Sequence, residues 1–567
     1  MTRNSTLSYQ GPGEPSADLL KGKNPGGGRF IPALLIVFTL GAMSPLFTAD
    51  FTNWDDRNTI VDNKWLNPPS WDHLAQSWDP RPPVYMDIYI PLTYTVWSGV
   101  AAVSYVPVED PETRSHLNPW MFHGVNVLVH VCSVLLVFQI LKLLVRRPWI
   151  AAAGAALYAV HPVQVEPVGW TSGLKDVLCG CMGLLAIWQY MLFALQDQSE
   201  QSRNVRQPIF RFYLSRHYLA ATIAFLLAML SKPSGIVVPL LVIIIDQALI
   251  RRPLFKTATS TVPWLLLAIP FVLIGRSAQT GAYLTYITPL AYRPLIALDS
   301  LAFYLYKLFF PMHLTITYGR RPEVVIARHS YAFTWIAPVA VVIALWIWRR
   351  KAPWLIAAVG VYWLAVLPVL GLVPFDFQSL STVADHYLYL AMLGPAIAAA
   401  FLLLKVRQKW IGVIVVLILL TLATRSFLQA RTWENGLALY NHAIAVKPTE
   451  CGPYNNLGLT YEGMHDYGSA IATFTNGLQH SPHCVQIETN LAMLLGNDGK
   501  LDEAERLFDD AKLQVAVNSP QGKLIQHGLK EIARARAEGR SSITIEKSEP
   551  SDAHLTPTSQ PIQLQRD

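Results

Sequence analysis

Long apolar runs recur along this sequence, and they limit the chain to folds that place helices in a lipid bilayer. Each run of roughly 15–25 residues is long enough for a helix that crosses a ~30 Å hydrocarbon core. Hydrophobic residues make up 52% of the chain and charged residues only 15%, against about 25% charge in a typical soluble protein. This excludes a soluble enzyme, a disordered scaffold and a collagen-like chain, and it predicts an all-α polytopic membrane protein. We predict about eleven spans, near residues 30–48, 120–145, 149–162, 174–195, 218–230, 234–250, 259–275, 330–348, 353–371, 387–404 and 410–424.

The distribution of Lys and Arg predicts the orientation of these spans. With the N-terminus in the cytoplasm and the first span retained as a permanent helix, the inner segments hold 19 Lys and Arg in 67 residues, whereas the outer segments hold 11 in 155. Inner loops of membrane proteins carry such an excess of basic residues. The run 295–311 is predicted to be interfacial or re-entrant, because a full crossing would place the basic run 349–351 outside. The C-terminal tail is then extracytoplasmic. The net charge of +7 is scattered and forms no single basic face, so we predict membrane lipids but no nucleic acid as a partner.

The C-terminal part contains a 34-residue repeat that predicts a second domain. The residues of one unit match the tetratricopeptide pattern, in which small residues let two antiparallel helices pack closely: Tyr454, Leu457, Gly458, Tyr461, Ala470, Phe474, Gly477 and Pro482. We predict a half repeat, two full repeats (451–484 and 485–518) and a capping helix within residues 426–538, after a transmembrane domain at 29–425. Residues 1–28 and 539–567 are predicted to be disordered tails. A disulfide between Cys451 and Cys484 is one option for this domain.

The first predicted outer loop, residues 49–119, carries ten acidic against four basic residues and contains the strongest catalytic candidates. Asp55 and Asp56 follow the first span directly, and a carboxylate pair at this position suits a general base. One carboxylate can take the proton of an incoming hydroxyl while the other orients that hydroxyl or holds charge. The alternative is a solvated turn in which an Asp caps the backbone. The pair alone does not decide between these interpretations.

Other acids and bases lie at the same predicted face of the membrane. Singly, each is explained as a cap, an interfacial anchor or a snorkelling Lys. Together they resemble the arrangement needed to bind a lipid-linked phosphate, with cations holding the phosphate and a carboxylate activating an acceptor. These candidates are Arg57, His161, Glu166, Lys175, Asp176, Lys232, Lys307, Asp385, His386 and Tyr387.

The order of these segments resembles the GT-C glycosyltransferases and, more narrowly, the transmembrane and tetratricopeptide O-mannosyltransferases. The resemblance extends from residue 30 to about residue 520. It rests on Trp54-Asp55-Asp56-Arg57, Asp62-Asn63, Pro91-Leu92-Thr93, Phe122-His123, Asn126, His130, His161-Pro162, Glu166, Gly173, Asp176, Leu230-Ser231-Lys232, Lys307, Phe310-Pro311 and Tyr387-Leu388-Tyr389-Leu390.

This resemblance implies a GT-C fold, a polyprenyl-phosphate-linked sugar as donor and no nucleotide-sugar site. It implies that Asp55 or Asp56 activates the acceptor, and a divalent metal ion remains an open alternative among cofactors. Three positions depart from the family pattern. Asp385-His386-Tyr387 replaces Glu-Arg-Tyr, Pro233 replaces a Glu after Ser231-Lys232, and Ile90 replaces an Arg. His386 is not a permanent cation as an Arg would be.

The leading hypothesis is an inverting transferase that moves a hexose, most simply mannose, from the lipid carrier to protein Ser or Thr hydroxyls outside the cytoplasm. The repeat domain would recruit the acceptor protein on its concave surface. A non-catalytic membrane scaffold built for its repeats is the main alternative. A transporter would need charged residues within the spans, and these are nearly absent.

Overall fold

The computed structural model describes residues 28–81, 88–108, 115–202, 212–278, 286–408, 410–516 and 518–543. These residues form helices, turns and two isolated bridges, without a β-strand. The predicted all-α architecture is therefore confirmed. Both predicted disordered tails lie almost entirely outside the described residues.

The membrane part of the described chain is a bundle whose helices often begin with proline. Pro91, Pro119, Pro148 and Pro353 each occupy the first helical position, where the missing N–H costs no helical hydrogen bond. The α-helices of the bundle are α1 (Ile31–Ala42), α2 (Trp71–Ser77), α3 (Pro91–Ser104), α4 (Pro119–Val145), α5 (Pro148–Val160), α6 (Val165–Gly169), α7 (Leu174–Ser202), α8 (Arg216–Ser231), α9 (Val238–Ile245), α10 (Leu254–Ala278), α11 (Arg293–Phe309), α12 (Pro322–Ala327), α13 (Tyr331–Thr334), α14 (Ile336–Trp348), α15 (Pro353–Ala365), α16 (Leu393–Lys405) and α17 (Trp410–Arg431).

Six helical segments among the described residues are long and apolar enough to cross a membrane: Pro119–Val145, Thr171–Gln201, Pro233–Ile250, Leu254–Ala278, Tyr331–Trp348 and Trp410–Arg431. The other five predicted spans coincide with the shorter apolar helices α1, α5, α8, α15 and α16. Helix α11 is amphipathic and is not among the apolar candidates, so its interfacial position stays a prediction. Val416, Leu417 and Ile418 of α17 are each more than half exposed, as expected of a helix that faces lipid.

Several helix ends meet at one end of the bundle, which we call the site end. The segment after α1 contacts the start of α4, where Nε2 of His123 lies 3.2 Å from the carbonyl oxygen of Asp50. The hydroxyl of Thr93 in α3 donates to the carbonyl of Ser231 at the end of α8 over 2.9 Å. The amide of Asn126 in α4 donates to the carbonyl of Trp170 over 2.9 Å and holds the connection between α5 and α7. Every candidate site residue lies at this end.

A second domain, which we call the repeat stack, follows α17. It consists of α18 (Gly436–Val446), α19 (Cys451–Gly463), α20 (Tyr467–His480), α21 (Val485–Asn497), α22 (Leu501–Lys512) and α23 (Pro520–Ala537). Helices α19 and α21 begin 34 residues apart, as do α20 and α22. Cys451 and Cys484 form a disulfide, with their Cα atoms 6.2 Å apart.

The repeat stack packs directly on the site end of the bundle. Trp433, Leu439, Tyr440 and Ala443 are buried in the same hydrophobic core as the membrane helices. The N–H of Asp50 donates to the carbonyl of Glu434 over 2.8 Å, which fixes the first outer loop to the start of the stack. The stack therefore forms a wall above the site.

Candidate active site

The Asp56 carboxylate is completely buried and fixes the first outer loop to the connection between α6 and α7. Thr52 donates to it through its backbone N–H over 3.0 Å and its hydroxyl over 2.9 Å. Ser172 donates through its N–H over 2.9 Å and its hydroxyl over 2.7 Å. These four bonds occupy both carboxylate oxygens, so the Asp56 side chain positions the first outer loop against the α6–α7 connection.

The neighbouring Asp55 carboxylate is half-buried, and no described residue donates a hydrogen bond to it. Burial is the main cause that raises the pKa of Asp55 above its ordinary value. The positive charge of Lys175 opposes this shift, and the negative charge of Asp56 adds to it. Asp55 is therefore the acid of this pair whose oxygens remain free to accept a proton.

Two lysines supply positive charge next to these acids. Nζ of Lys175 donates to the carbonyl of Ser172 over 2.9 Å and lies 4.0 Å from the ring centre of Trp170. Lys232, which follows α8, forms an ion pair with Asp176 in the first turn of α7. The second oxygen of Asp176 is buried and has no hydrogen-bond partner among the described residues. These groups form a compact charged cluster that can bind an anion.

Glu166, Asp385 and His386 lie next to this cluster and contact one another. Oε1 of Glu166 lies 2.6 Å from Nδ1 of His386, and Oε2 accepts the backbone N–H of Asp385 over 3.2 Å. Burial raises the pKa of Asp385 to about 7 and raises that of Glu166 well above its ordinary value, with the charge of Asp385 adding to the second shift. Burial also lowers the pKa of His386 to about 3, so the imidazole is neutral near pH 7.

Tyr387 connects this group to the charged cluster, because Nζ of Lys232 lies 5.4 Å from the centre of its ring. The predicted span 387–404 is interrupted at this point: Asp385–Leu388 forms a separate 3-10 turn, and α16 begins only at Leu393. Oε2 of Glu166 accepts the N–H of Asp385, which as the first residue of this turn has no partner within the turn. The turn brings the 385–387 segment against Glu166.

The remaining predicted site residues lie at the margin of the cluster. Arg57 is exposed and pairs with Asp62, with Nε and Oδ2 2.9 Å apart. Nε2 of His161 is 3.0 Å from the carbonyl oxygen of Leu308. Lys307 is buried and donates to the carbonyls of Met312 over 2.7 Å and His313 over 3.1 Å. His161 thus contacts the last turn of α11, and Lys307 holds the backbone that follows this helix.

A small pocket lies beside Glu166 and Asp385. Its opposite wall comes from the junction with the repeat stack, including Trp433 and His442. The Thr315 hydroxyl in its lining has no hydrogen-bond partner in the part of the chain that the structure describes. Sequence reasoning missed these residues. It also missed Tyr318, whose hydroxyl donates to both oxygens of Asp385 at 2.9 Å. No local motif marks them, because each reaches the site from a distant part of the chain.

No protein-family model matches the chain. Among curated proteins, it is similar to Protein O-mannosyl-transferase TMTC1 of Homo sapiens, at 31% identity over 123 residues, which is 22% of this chain and 13% of the relative. It is also similar to Protein O-mannosyl-transferase F38B6.6 of Caenorhabditis elegans, at 22% identity over 384 residues, which is 62% of this chain and 50% of the relative. Protein O-mannosyl-transferase tmtc2 of Xenopus laevis is 32% identical over 165 residues, which is 28% of this chain and 17% of the relative. The chain thus resembles the O-mannosyl-transferases and matches half or less of the length of each of these relatives.

Proposed function

We propose that this chain is a membrane glycosyltransferase that moves a hexose, mannose in the simplest case, from a polyprenyl-phosphate carrier to Ser or Thr hydroxyls of proteins. Similarity to proteins named O-mannosyl-transferases supports the sugar and the acceptor class. The observation that carries the proposal is the difference between the surroundings of the Asp55 and Asp56 carboxylates. One carboxylate is held by four hydrogen bonds, and its neighbour has free oxygens beside a lysine.

In the proposed reaction, Asp55 is the general base. Its carboxylate takes the proton of the acceptor hydroxyl while that oxygen forms a bond to C1 of the sugar, on the face opposite the phosphate. The bond between C1 and the phosphate oxygen breaks, and the polyprenyl phosphate leaves with the bonding electron pair. Because the raised pKa of Asp55 makes its carboxylate a better base, burial favours this role.

Lys175 and Lys232 are proposed to bind the donor phosphate. Both ammonium groups lie at the site end, where the attraction between cation and phosphate is strengthened by the exclusion of water. His386 is neutral and is oriented by Glu166. It is therefore proposed to form a hydrogen bond with the donor, and it does not supply the positive charge of the arginine that the family has at this position. Arg57, His161 and Lys307 keep a supporting role at the margin.

We further propose that the site and the repeat stack face the extracytoplasmic side. The excess of Lys and Arg in the opposite loops supports this orientation. The Cys451–Cys484 disulfide also supports it, because disulfides persist in oxidising compartments. The repeat stack then lies on the same side as the acceptor proteins.

Sugar transfer by the purified full-length protein tests this function. The protein in detergent is offered radiolabelled polyprenyl-phosphate-mannose and an extracytoplasmic protein fraction, with and without added divalent metal. Label on protein supports the proposal, and Asp55→Asn is expected to lower the rate about 100-fold or more, as for loss of a general base.

Asp72→Asn provides a matched control, because Asp72 lies in the same outer loop but is exposed on α2. This variant is expected to transfer label as the parent does. Equal transfer by the parent and Asp55→Asn would show that another residue is the general base. No transfer by the parent, after other lipid-linked sugars have been tried, would favour the membrane scaffold.

A further inference from the structure

A buried acid and a buried imidazole share one short contact at the site end. Oε1 of Glu166 lies 2.6 Å from Nδ1 of His386, and the two side chains are 7% and 4% exposed. A carboxylate oxygen without a proton only accepts hydrogen bonds, and so does an imidazole nitrogen without a proton. A contact of this length between the two atoms therefore holds a proton, whichever of them carries it. We call these two residues the acid–imidazole pair.

The state of the other imidazole nitrogen, Nε2, depends on the number of protons that the pair holds. If the pair holds one proton, that proton lies between Oε1 and Nδ1, and Nε2 presents a lone pair. If the pair holds two protons, the second is on Nε2, which is then a hydrogen-bond donor. Loss of one proton from the pair therefore changes Nε2 of His386 from a donor into an acceptor.

The surrounding structure fixes the orientation of both members of the pair. Oε2 of Glu166 accepts the N–H of Asp385 over 3.2 Å, so Oε1 is the oxygen that faces the imidazole. The ring of His386 packs against the rings of Trp170 and Phe377, with ring centres 5.6 Å and 5.5 Å apart. Nε2 has no hydrogen-bond partner among the described residues. This nitrogen is therefore available to a ligand.

The charges around the pair determine how firmly it holds its second proton. Burial raises the pKa of Glu166 well above its ordinary value, the charges of Asp385 and Asp176 add to this shift, and the charge of Lys232 opposes it. The second proton is therefore retained above the ordinary pKa of a carboxyl group. The titratable and charged groups around the pair are Lys175 and Asp176 of α7, Lys232 after α8, Tyr304 and Lys307 of α11, Tyr318 after α11, Asp385, Tyr387 and His442 of α18.

We propose that Glu166 is a positioning residue that makes Nε2 of His386 a hydrogen-bond donor to the phosphate of the lipid-linked sugar. An ionised phosphate offers only acceptor oxygens, so it pairs with an N–H and is repelled by a lone pair and by a carboxylate charge. The donor then binds tightly while the pair holds two protons, and weakly once the pair has lost one. This inference rests on the proposed function for the identity of the anion.

Binding of the donor as a function of pH tests the inference without any transfer step. The probe is radiolabelled polyprenyl-phosphate-mannose, a phosphodiester, which lacks the second ionisation of a phosphate monoester at about pH 6. Its charge therefore stays constant during the experiment. For the purified full-length protein in detergent, Kd is expected to rise about tenfold or more between about pH 6 and about pH 9, the effect of one lost hydrogen bond to a charged group.

The Glu166→Gln variant shows whether Glu166 causes this dependence. The oxygen of the new amide can accept the Asp385 N–H while its nitrogen donates to Nδ1, which keeps the proton on Nε2 of His386 at every pH. Kd is therefore expected to stay near the low-pH value of the parent. Asp385→Asn leaves the pair intact, so it is the matched control and is expected to retain the pH dependence. Any titration of the lysines is common to all three proteins, and the difference between them isolates Glu166.

Equal pH dependence in the parent and Glu166→Gln would overturn the inference. So would a Kd that Glu166→Gln raises by the same factor at every pH, because that result indicates a merely structural role. A parent Kd that falls as pH rises would also overturn it, since Nε2 would then act as an acceptor.

NMR of isotope-labelled histidine nitrogens tests the pair without any donor. The resonances of His386 are assigned by their absence in His386→Gln. The parent is expected to show the Nε2–H form at about pH 6 and the Nδ1–H form at about pH 9, whereas Glu166→Gln shows the Nε2–H form at both. The same form at both pH values in the parent would overturn the inference. A change of form without any binding of the lipid-linked donor would support the switch at His386 and count against the proposed function.

Discussion

Two adjacent carboxylates in one outer loop have opposite surroundings, and their substitution should have opposite consequences. Removing the Asp56 carboxylate leaves the N–H groups of Thr52 and Ser172 buried without partners. Each unpaired buried donor costs about 1–3 kcal/mol. Asp56→Ala is therefore expected to lower the free energy of unfolding by at least about 2 kcal/mol, as followed by thermal unfolding in detergent.

Asp55→Ala is the control for this experiment, because it breaks no hydrogen bond among the described residues. Its unfolding temperature is expected to stay close to that of the parent, while its transfer activity falls. Equal destabilisation by both substitutions would contradict the separate roles of the two acids.

The Asp385 carboxyl should make stability depend on pH. Its pKa rises from 3.8 to about 7 on folding, so between these values the folded chain holds a proton that the unfolded chain has released. The free energy of unfolding then falls as pH rises from about 4 to about 7. Asp385→Asn keeps an acceptor for the Tyr318 hydroxyl and removes this titration.

Thermal unfolding at about pH 5 and about pH 8 measures the effect. The parent is expected to lose more stability between these two conditions than Asp385→Asn does. Burial also raises the pKa of Glu166, so the variant is expected to keep a smaller dependence of its stability on pH. Identical pH profiles would show that Asp385 is ionised in the folded protein throughout this range.

At the scale of elements, the helices of the repeat stack depend on close approach at glycines. A Cβ at Gly477 in α20 would lie 2.7 Å from a side-chain carbon of Ile487 and 2.8 Å from Cβ of Tyr454. Gly477→Val is therefore expected to destabilise the stack by about 1–3 kcal/mol, the usual effect of overpacking. Hydrogen exchange of α19–α21 measures this loss.

Gly468→Ala, on the same helix, is the matched control. A Cβ there meets only Oδ1 of Asp466, at 3.7 Å, which is ordinary contact. Hydrogen exchange is expected to be unchanged or slower. Faster exchange in both variants would mean that α20 resists any side chain at glycine positions, whatever the space around them.

The sequence predicted the elements better than the contacts between them. Apolar runs predicted an all-α membrane protein, and that prediction is confirmed. It could be made because the hydrophobicity of a membrane helix is a property of consecutive residues. The break before α16 was missed, since the hydrogen bond from the Asp385 N–H to Glu166 joins residues 219 positions apart. The candidate site residues remain predictions. The sequence alone left open which acid of the pair is free. The unequal surroundings of Asp55 and Asp56 depend on Ser172 and Lys175, which approach them only in the folded chain.

At the scale of the whole molecule, the bundle and the repeat stack share a core. Trp433 and Tyr440 are at most 2% exposed and pack with the membrane helices, and Leu457 of α19 belongs to the same core. Helices α20 to α23 contribute to a second core instead. The boundary between the two cores therefore lies within the stack, after α18 and the adjoining face of α19, and not at the end of α17.

This boundary predicts how truncated chains behave. A chain that ends at Met464 keeps α18 and α19, so the bundle retains its buried wall. A chain that ends at Arg431 loses Trp433 and Tyr440, and loss of one large buried aromatic side chain costs about 3–5 kcal/mol. Size-exclusion chromatography and thermal unfolding in detergent are expected to show a monodisperse longer chain with an unfolding temperature near that of the parent, and an aggregating or strongly destabilised shorter one. Equal stability of the two truncated chains would place the boundary at α17 and make the stack an independent attachment.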